Sequence, residues 1–182
     1  MSFRLPSFAI AALIGAAALV TSAAAFAQAP ADAPAEAESE PPQTFGHWAL
    51  RCGTPQGGER TCTLNQVFAH NETKRQVLRL TLIHKKPENT NALLIVAPLG
   101  SDLSRNPTFA VPGLPAAAPP YRFCVRDGCY AELLLSAQFL AEMQKGGQGQ
   151  VSFRPFGGEN AASLPVSFQG FAEGFAAFLA AQ

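Results

Sequence analysis

QVLRLTLIHKKPENTNALLIVA, residues 76–97, reads as two β-strands and the turn between them. From Gln76 to His84, Leu78, Leu80 and Leu82 point one way while Arg79 and Thr81 point the other, because successive side chains of a strand alternate between faces. KKPENTN, residues 85–91, is a turn cluster with Pro87 and two asparagines. ALLIVA, residues 92–97, is apolar without a break, the pattern of a strand covered on both sides.

The same alternation recurs outward from this segment. Cys62, Leu64, Gln66 and Phe68 share one face of a strand over Cys62–Ala69. Val151 and Phe153, and then Leu164, Val166 and Phe168, alternate again, with the turn cluster RPFGGENA, residues 154–161, between them. Several short strands at this spacing predict a mainly β domain, an antiparallel β-sandwich or barrel-like fold. Two segments carry helical spacing instead. Ser136 is a candidate N-cap for AQFLAEMQK, which ends at Gly146-Gly147 and has Phe139, Leu140 and Met143 on its apolar face. Phe168, Phe171, Phe175 and Phe178 recur at three, four and three residues, which lines them on one face of a C-terminal helix. Gly170 and Gly174 beside them fit close packing on the sheet; Gln169 and Glu173 make a lipid-buried span costly. NPTFAVPGLPAAAPP, residues 106–120, holds five prolines and reads as an extended loop, either a recognition loop or a stiff connector.

The N-terminal end of the chain points to export. Residues 1–27 have the form of a secretory signal: Arg4, an apolar run from Phe8 to Val20, and Ala25-Phe26-Ala27 before Gln28. The run has thirteen residues, short of the roughly 20 that a bilayer needs. Residues 28–43 are Ala, Pro, Gln, Ser and acids, with no large side chain to bury, and read as a disordered linker. Residues 44–182 then form one domain, with no transmembrane segment expected in the mature chain. The formal charge is zero over the whole sequence. Without Arg4 and the linker acids Asp32, Glu36, Glu38 and Glu40, the domain carries 12 basic and 9 acidic side chains, a mild +3. A nucleic-acid partner is not expected, since such binders show a clustered basic face.

Four cysteines on an exported chain read as disulfides, and four allow three pairings. Cys52–Cys62 and Cys124–Cys129 are favoured because each pair brackets turn-forming sequence, GTPQGGERT in one case and VRDG in the other. A two-residue turn at Asp127-Gly128 would set Cys124 and Cys129 diagonally, about 7 to 8 Å apart. A four-residue loop would set them opposite, so the pairing predicts the wider loop. Each short ring is expected to stabilise by roughly 2 to 3 kcal/mol at most. Thiol–disulfide exchange is the competing use, but its usual Cys-x-x-Cys sits at a helix N-terminus, and here the flanks read as strands. A zinc site would need ligand pairs separated by two to four residues; only Cys124 and Cys129 come near that, and their oxidation would remove the ligands.

Catalytic patterns are missing. His47, His70 and His84 form no ligand-spaced pair, and no nucleophile elbow, phosphate-binding glycine loop or His-Glu-x-x-His occurs. No enzyme, cofactor or metal is therefore expected. Arg122 and Arg126 flank the Cys124–Cys129 loop, with Arg105 on the loop before it. They fit either a solvated rim or a surface that meets a polyanion.

Phe45-Gly46-His47-Trp48 precedes Cys52, and Gln66 follows Cys62. Ala97-Pro98-Leu99-Gly100 ends a strand, and Cys124 is followed by Gly128-Cys129-Tyr130-Ala131. Gln169-Gly170-Phe171 opens a Phe/Ala-rich ending. In this order and spacing, from Thr44 to about Leu179, the chain resembles the invasion-associated locus B family of exported bacterial proteins. The resemblance departs at Asn106–Pro120, where the family implies a shorter strand-like stretch. It implies a non-enzymatic envelope protein, periplasmic or secreted, that meets an envelope or host-surface protein. It carries no catalytic residues, and a periplasmic thiol-redox or chaperone-like role is the alternative. N-terminal sequencing of periplasmic protein is expected to read from Gln28; an intact Met1 in the membrane fraction would overturn the export reading.

Overall fold

The computed structural model describes residues 40–54 and 58–182. The expected signal, the linker as far as residue 39, and the middle of the turn after Cys52 lie outside the described residues. Glu40 is already tied to the domain: its N–H donates to the Cys52 carbonyl at 3.0 Å, and its carboxylate pairs with Arg60 at 2.7 Å.

Alternating side chains build two antiparallel sheets. Five strands follow one another as a meander: β1 (Gln43–Phe45), β2 (Trp48–Gly53), β3 (Thr61–Ala69), β4 (Gln76–Lys85) and β5 (Thr90–Ala97). The chain then leaves through β6 (Thr108–Ala110) and returns as the hairpin β7 (Tyr121–Val125) and β8 (Gly128–Leu134). The hairpin closes on β5, giving the order β1-β2-β3-β4-β5-β8-β7. After α1 (Ala137–Gln144), β9 (Gln148–Phe153) and β10 (Ala162–Ser167) join β6 in a smaller sheet ordered β10-β9-β6, and α2 (Phe171–Ala180) ends the fold. The expected mainly β, sandwich-like domain is what forms, with both expected disulfides.

Register explains the core. Leu50, Leu64, Leu82, Leu93 and Leu133 are successive Cα partners across five strands and make one apolar row on the inner face. That face shares a single hydrophobic core with Phe109, Val151, Phe153 and Val166 of the smaller sheet and with the α2 phenylalanines. Ser136 caps α1 as its sequence predicts, accepting from the Phe139 N–H at 3.3 Å. In α2, Phe171, Phe175 and Phe178 are buried, and a Cβ on Gly174 would lie 3.0 Å from Leu64, so this glycine lets the helix sit close on β3.

Three expectations need correction. Phe168 is buried but precedes α2; it enters the core from the turn after β10, edge-on to Phe109 at 6.4 Å. The loop between Cys124 and Cys129 is tighter than expected. Val125 pairs with Gly128, leaving a two-residue turn at Arg126-Asp127 rather than at Asp127-Gly128, and this shift of one residue puts the cysteines opposite each other. Gly128 takes φ +146°, and a Cβ there would meet the Ala97 carbonyl at 2.5 Å, so a glycine is required for the close approach. The segment 106–120 is more than a loop. It contains β6, bonded to β9 on one side and to Ala117 on the other, with Phe109 and Val111 in the core. Its prolines lie outside the three-residue strand, so they remove no ladder donor. The expectation that β5 is covered on both sides holds: Leu93 and Ile95 are buried on its inner face and Ala92 and Val96 on its outer face.

Phe175 sits mid-stripe, stacked between Phe171 and Phe178 at 5.7 and 6.2 Å. Phe175→Ala is expected to cost roughly 3 to 5 kcal/mol out of a total of about 5 to 15. A thermal melt checks it; unchanged melting would mean the stripe is not core.

Candidate interaction surface

The inner face of the large sheet is filled, and the outer face is open to solvent. Inward leucines on β4 leave Arg79 and Thr81 facing outward. There they join a polar network across strands distant in sequence. Asn65 Nδ2 donates to Thr63 Oγ1, Thr81 Oγ1 donates to Asn65 Oδ1, and Arg79 Nε donates to Thr81 Oγ1. Arg79 Nη2 then reaches the Tyr130 hydroxyl at 3.0 Å and Asp127 Oδ2 at 2.8 Å, while Tyr130 also donates to Asp127 at 2.8 Å.

The register shows what this arch covers. Val96 is the Cα partner of Arg79 on one side and of Tyr130 on the other. The Arg79–Tyr130 bond spans it, and Val96 is only 1% exposed on a face that has no second layer among the described residues. Arg79 and then Tyr130 hold the Asp127 carboxyl below its ordinary value. Burial, followed by the bond to Asp127, pushes the Tyr130 phenol up. Beside the arch, Arg51, Asn65, Val67 and Gln76 line a cleft of about 400 Å³.

The apolar part of the surface lies toward β7. Phe123 stacks on Tyr130 with centroids 4.8 Å apart and stays 55% exposed; Val125 and Leu134 are exposed as well. Of the basic residues singled out from sequence, Arg122 lines a cleft here with Lys85, Glu132 and Leu134, where Lys85 pairs with Glu132 at 3.0 Å. Arg126 sits exposed in the turn. Arg105 is elsewhere, lining a cleft with Arg154 and Ser152 by the smaller sheet. Asn65, Asp127 and Tyr130 were missed from sequence as members of a site. Outward-facing Arg79 and Thr81 were the available signal, but Asp127 lies 48 residues away. Among the described residues no group of His, Cys, Asp and Glu could hold a metal ion, and no helix is long and apolar enough to cross a membrane.

A family profile described as "Invasion associated locus B (IalB) protein" matches residues 48–179. The chain belongs to the invasion-associated locus B family. The match spans both disulfides, the outer-face network and most of α2. No curated protein matches it. The crystal structure of invasion associated protein b from Bartonella henselae is similar, with a TM-score of 0.66 and 20% sequence identity over 78% of this chain and 96% of that one. At that identity the likeness is one of fold. Within 106–120 this chain has the short strand β6, where the family resemblance implied a strand-like stretch.

Asp127 is exposed enough that its ion pair is expected to contribute less than about 1 kcal/mol. Because its folded pKa is lowered, that contribution is present above the unfolded carboxylate value of about 3.9 and is lost as pH falls through the folded value. Thermal melts of wild type and Asp127→Asn are therefore expected to differ slightly at pH 7 and to converge in acid. A gap that widens in acid would contradict the arrangement.

Proposed function

We propose that this protein is an exported, non-enzymatic component of the cell envelope that works by binding another protein through the outer face of its seven-stranded sheet. The supporting observation is the exposure of Phe123 and Val125 beside Tyr130 on that face, with Leu134 exposed further along β8. Apolar side chains gathered on one open surface mark an interaction site more often than an inert one. Arg122 and Arg126 are proposed as its charged contacts, and Arg105 as a contact of the separate cleft it shares with Arg154. Two disulfides suit a periplasmic or secreted destination. The family name associates these proteins with invasion, and a host-surface protein is one partner that such a surface would serve.

The redox alternative gains no support from the geometry. Both disulfides cross-link directly opposed strand residues, and neither sits at a helix N-terminus, where a thiol would be activated.

Phe123→Ser with Leu134→Ser tests the reading, because exposed substitutions leave stability within about 0.5 kcal/mol. Cross-linking in intact envelopes followed by mass spectrometry is expected to recover a reproducible partner with wild type and to lose it with the double variant. Equal recovery by both proteins would refute the surface.

A further inference from the structure

We infer that the outer edge of β7 is a strand-addition site for an extended, acidic segment of a partner protein, an inference that rests on the surface-binding role proposed above. β7 ends the order of the large sheet, and among the described residues its backbone has no partner beyond β8. Cys124 and Cys129 are Cα partners only 4.0 Å apart, the narrow spacing of a non-hydrogen-bonded antiparallel pair. In such a pair the N–H and C=O of each residue point away from the other strand. The Cys124 amide and carbonyl therefore face the open edge.

The other stapled hairpin shows the same geometry closed. Cys52 and Cys62 are Cα partners 4.1 Å apart, so the Cys52 carbonyl also points away from its hairpin partner. There, β1 lies alongside β2, and the Glu40 N–H takes the Cys52 carbonyl at 3.0 Å. At Cys124 no described residue does so. Unpaired edges recruit other strands unless they are blunted by charge, proline or a bulge. Here the bulge between Tyr121 and Phe123 leaves Phe123–Val125 as the regular stretch, and both Phe123 and Val125 are exposed.

Charge selects the occupant. Arg122 and Arg126 flank Cys124, and neither forms an ion pair among the described residues. A second copy added antiparallel about Cys124 would bring Arg122 of each chain toward Arg126 in the turn of the other. Like charges directly opposed destabilise a strand pair. An extended partner with acidic side chains at those positions, and apolar ones over Phe123 and Val125, would complement both features. Strand addition draws its affinity from main-chain hydrogen bonds and its specificity from alternate side chains.

The test uses the mature chain and a fluorescein-labelled seven-residue peptide of alternating Glu and Val. Fluorescence anisotropy is expected to show binding, with chemical-shift changes centred on the Cys124 amide. N-methylating alternate peptide amides is expected to weaken binding by at least about tenfold, and so is the Arg122→Glu, Arg126→Glu double variant, which should turn to a Lys–Val peptide instead. No binding of the Glu–Val peptide overturns the inference, as does binding indifferent to N-methylation or to charge reversal. Concentration-dependent self-association through β7 would make the occupant a second copy and overturn it too. If these results fail while the Phe123/Leu134 surface still captures its envelope partner, the edge site falls and the wider function stands; loss of both sinks both.

Discussion

The carbonyl oxygen of Ser167 accepts two hydrogen bonds from the large sheet, one from the Trp48 indole and one from the Gln66 amide, each at 3.0 Å. Ser167 is the last residue of β10, so this one acceptor ties the small sheet to β2 and β3 at the point where the chain turns into α2. Trp48 is fully buried and Gln66 nearly so, where an unmade hydrogen bond would cost about 1 to 3 kcal/mol. Beside it the β1–β2 turn presses against the turn before α2, with the His47 N–H donating to the Gln169 carbonyl at 3.2 Å. The approach requires glycine on both sides. A Cβ on Gly46 would lie 2.4 Å from the Gln169 carbonyl, one on Gly170 would lie 2.2 Å from that of Phe45, and both residues have positive φ. Phe171, the first residue of the helix, then packs on Trp48 at 5.0 Å. The direction of α2, and with it the placement of the buried phenylalanines, follows from this joint.

One consequence is an asymmetric sheet. Helix, small sheet and the Phe109 segment all pack against the inner face, and the leucine row there is nearly sealed. The outer face has to manage its own apolar strand positions. Over β5 it does so with the Arg79–Tyr130–Asp127 arch, which shields Val96 while keeping charged groups in water. Toward β7 it does not, and Phe123, Val125 and Leu134 remain exposed. The disulfides fit this division of labour. Each locks a hairpin in register at a pair where the ladder supplies no hydrogen bond, one near each side of the sheet. A stapled hairpin can hold an exposed apolar strand in shape without a second layer behind it.

Much of this was legible in the sequence because it is local. Period-two alternation in residues 76–84 assigns Leu78, Leu80 and Leu82 to the core and Arg79 and Thr81 to the outside, and turn-rich sequence between paired cysteines indicates which are bonded. Ser136 announces a helix, and the three-four-three spacing of phenylalanines announces another. Errors fell where a local pattern met a distant partner. Phe168 has helical spacing, but Ser167 is held by Trp48 and Gln66, so the helix starts only after the Gly170 turn. The prolines of 106–120 suggest a loop, yet β9 and Ala117 supply enough hydrogen bonds to make a strand of the three residues between them. The Cys124 turn was misjudged because the space beneath Ala97 that demands Gly128 belongs to another strand.

By itself, then, the sequence determined the β class, the export-compatible disulfide pairs, the two helical segments and the core face of the alternating strands in 62–69, 76–84, 151–153 and 164–166. These depend on alternation, on caps and on short rings, all set within about ten residues of chain. Only the tertiary structure decided that the β7–β8 hairpin pairs with β5, that β6 defects to the smaller sheet, and that Arg79 meets Asp127 across 48 residues. Those choices depend on which apolar faces close on one another and which buried donors find acceptors. That is a property of the whole packed core, and no window of sequence contains it.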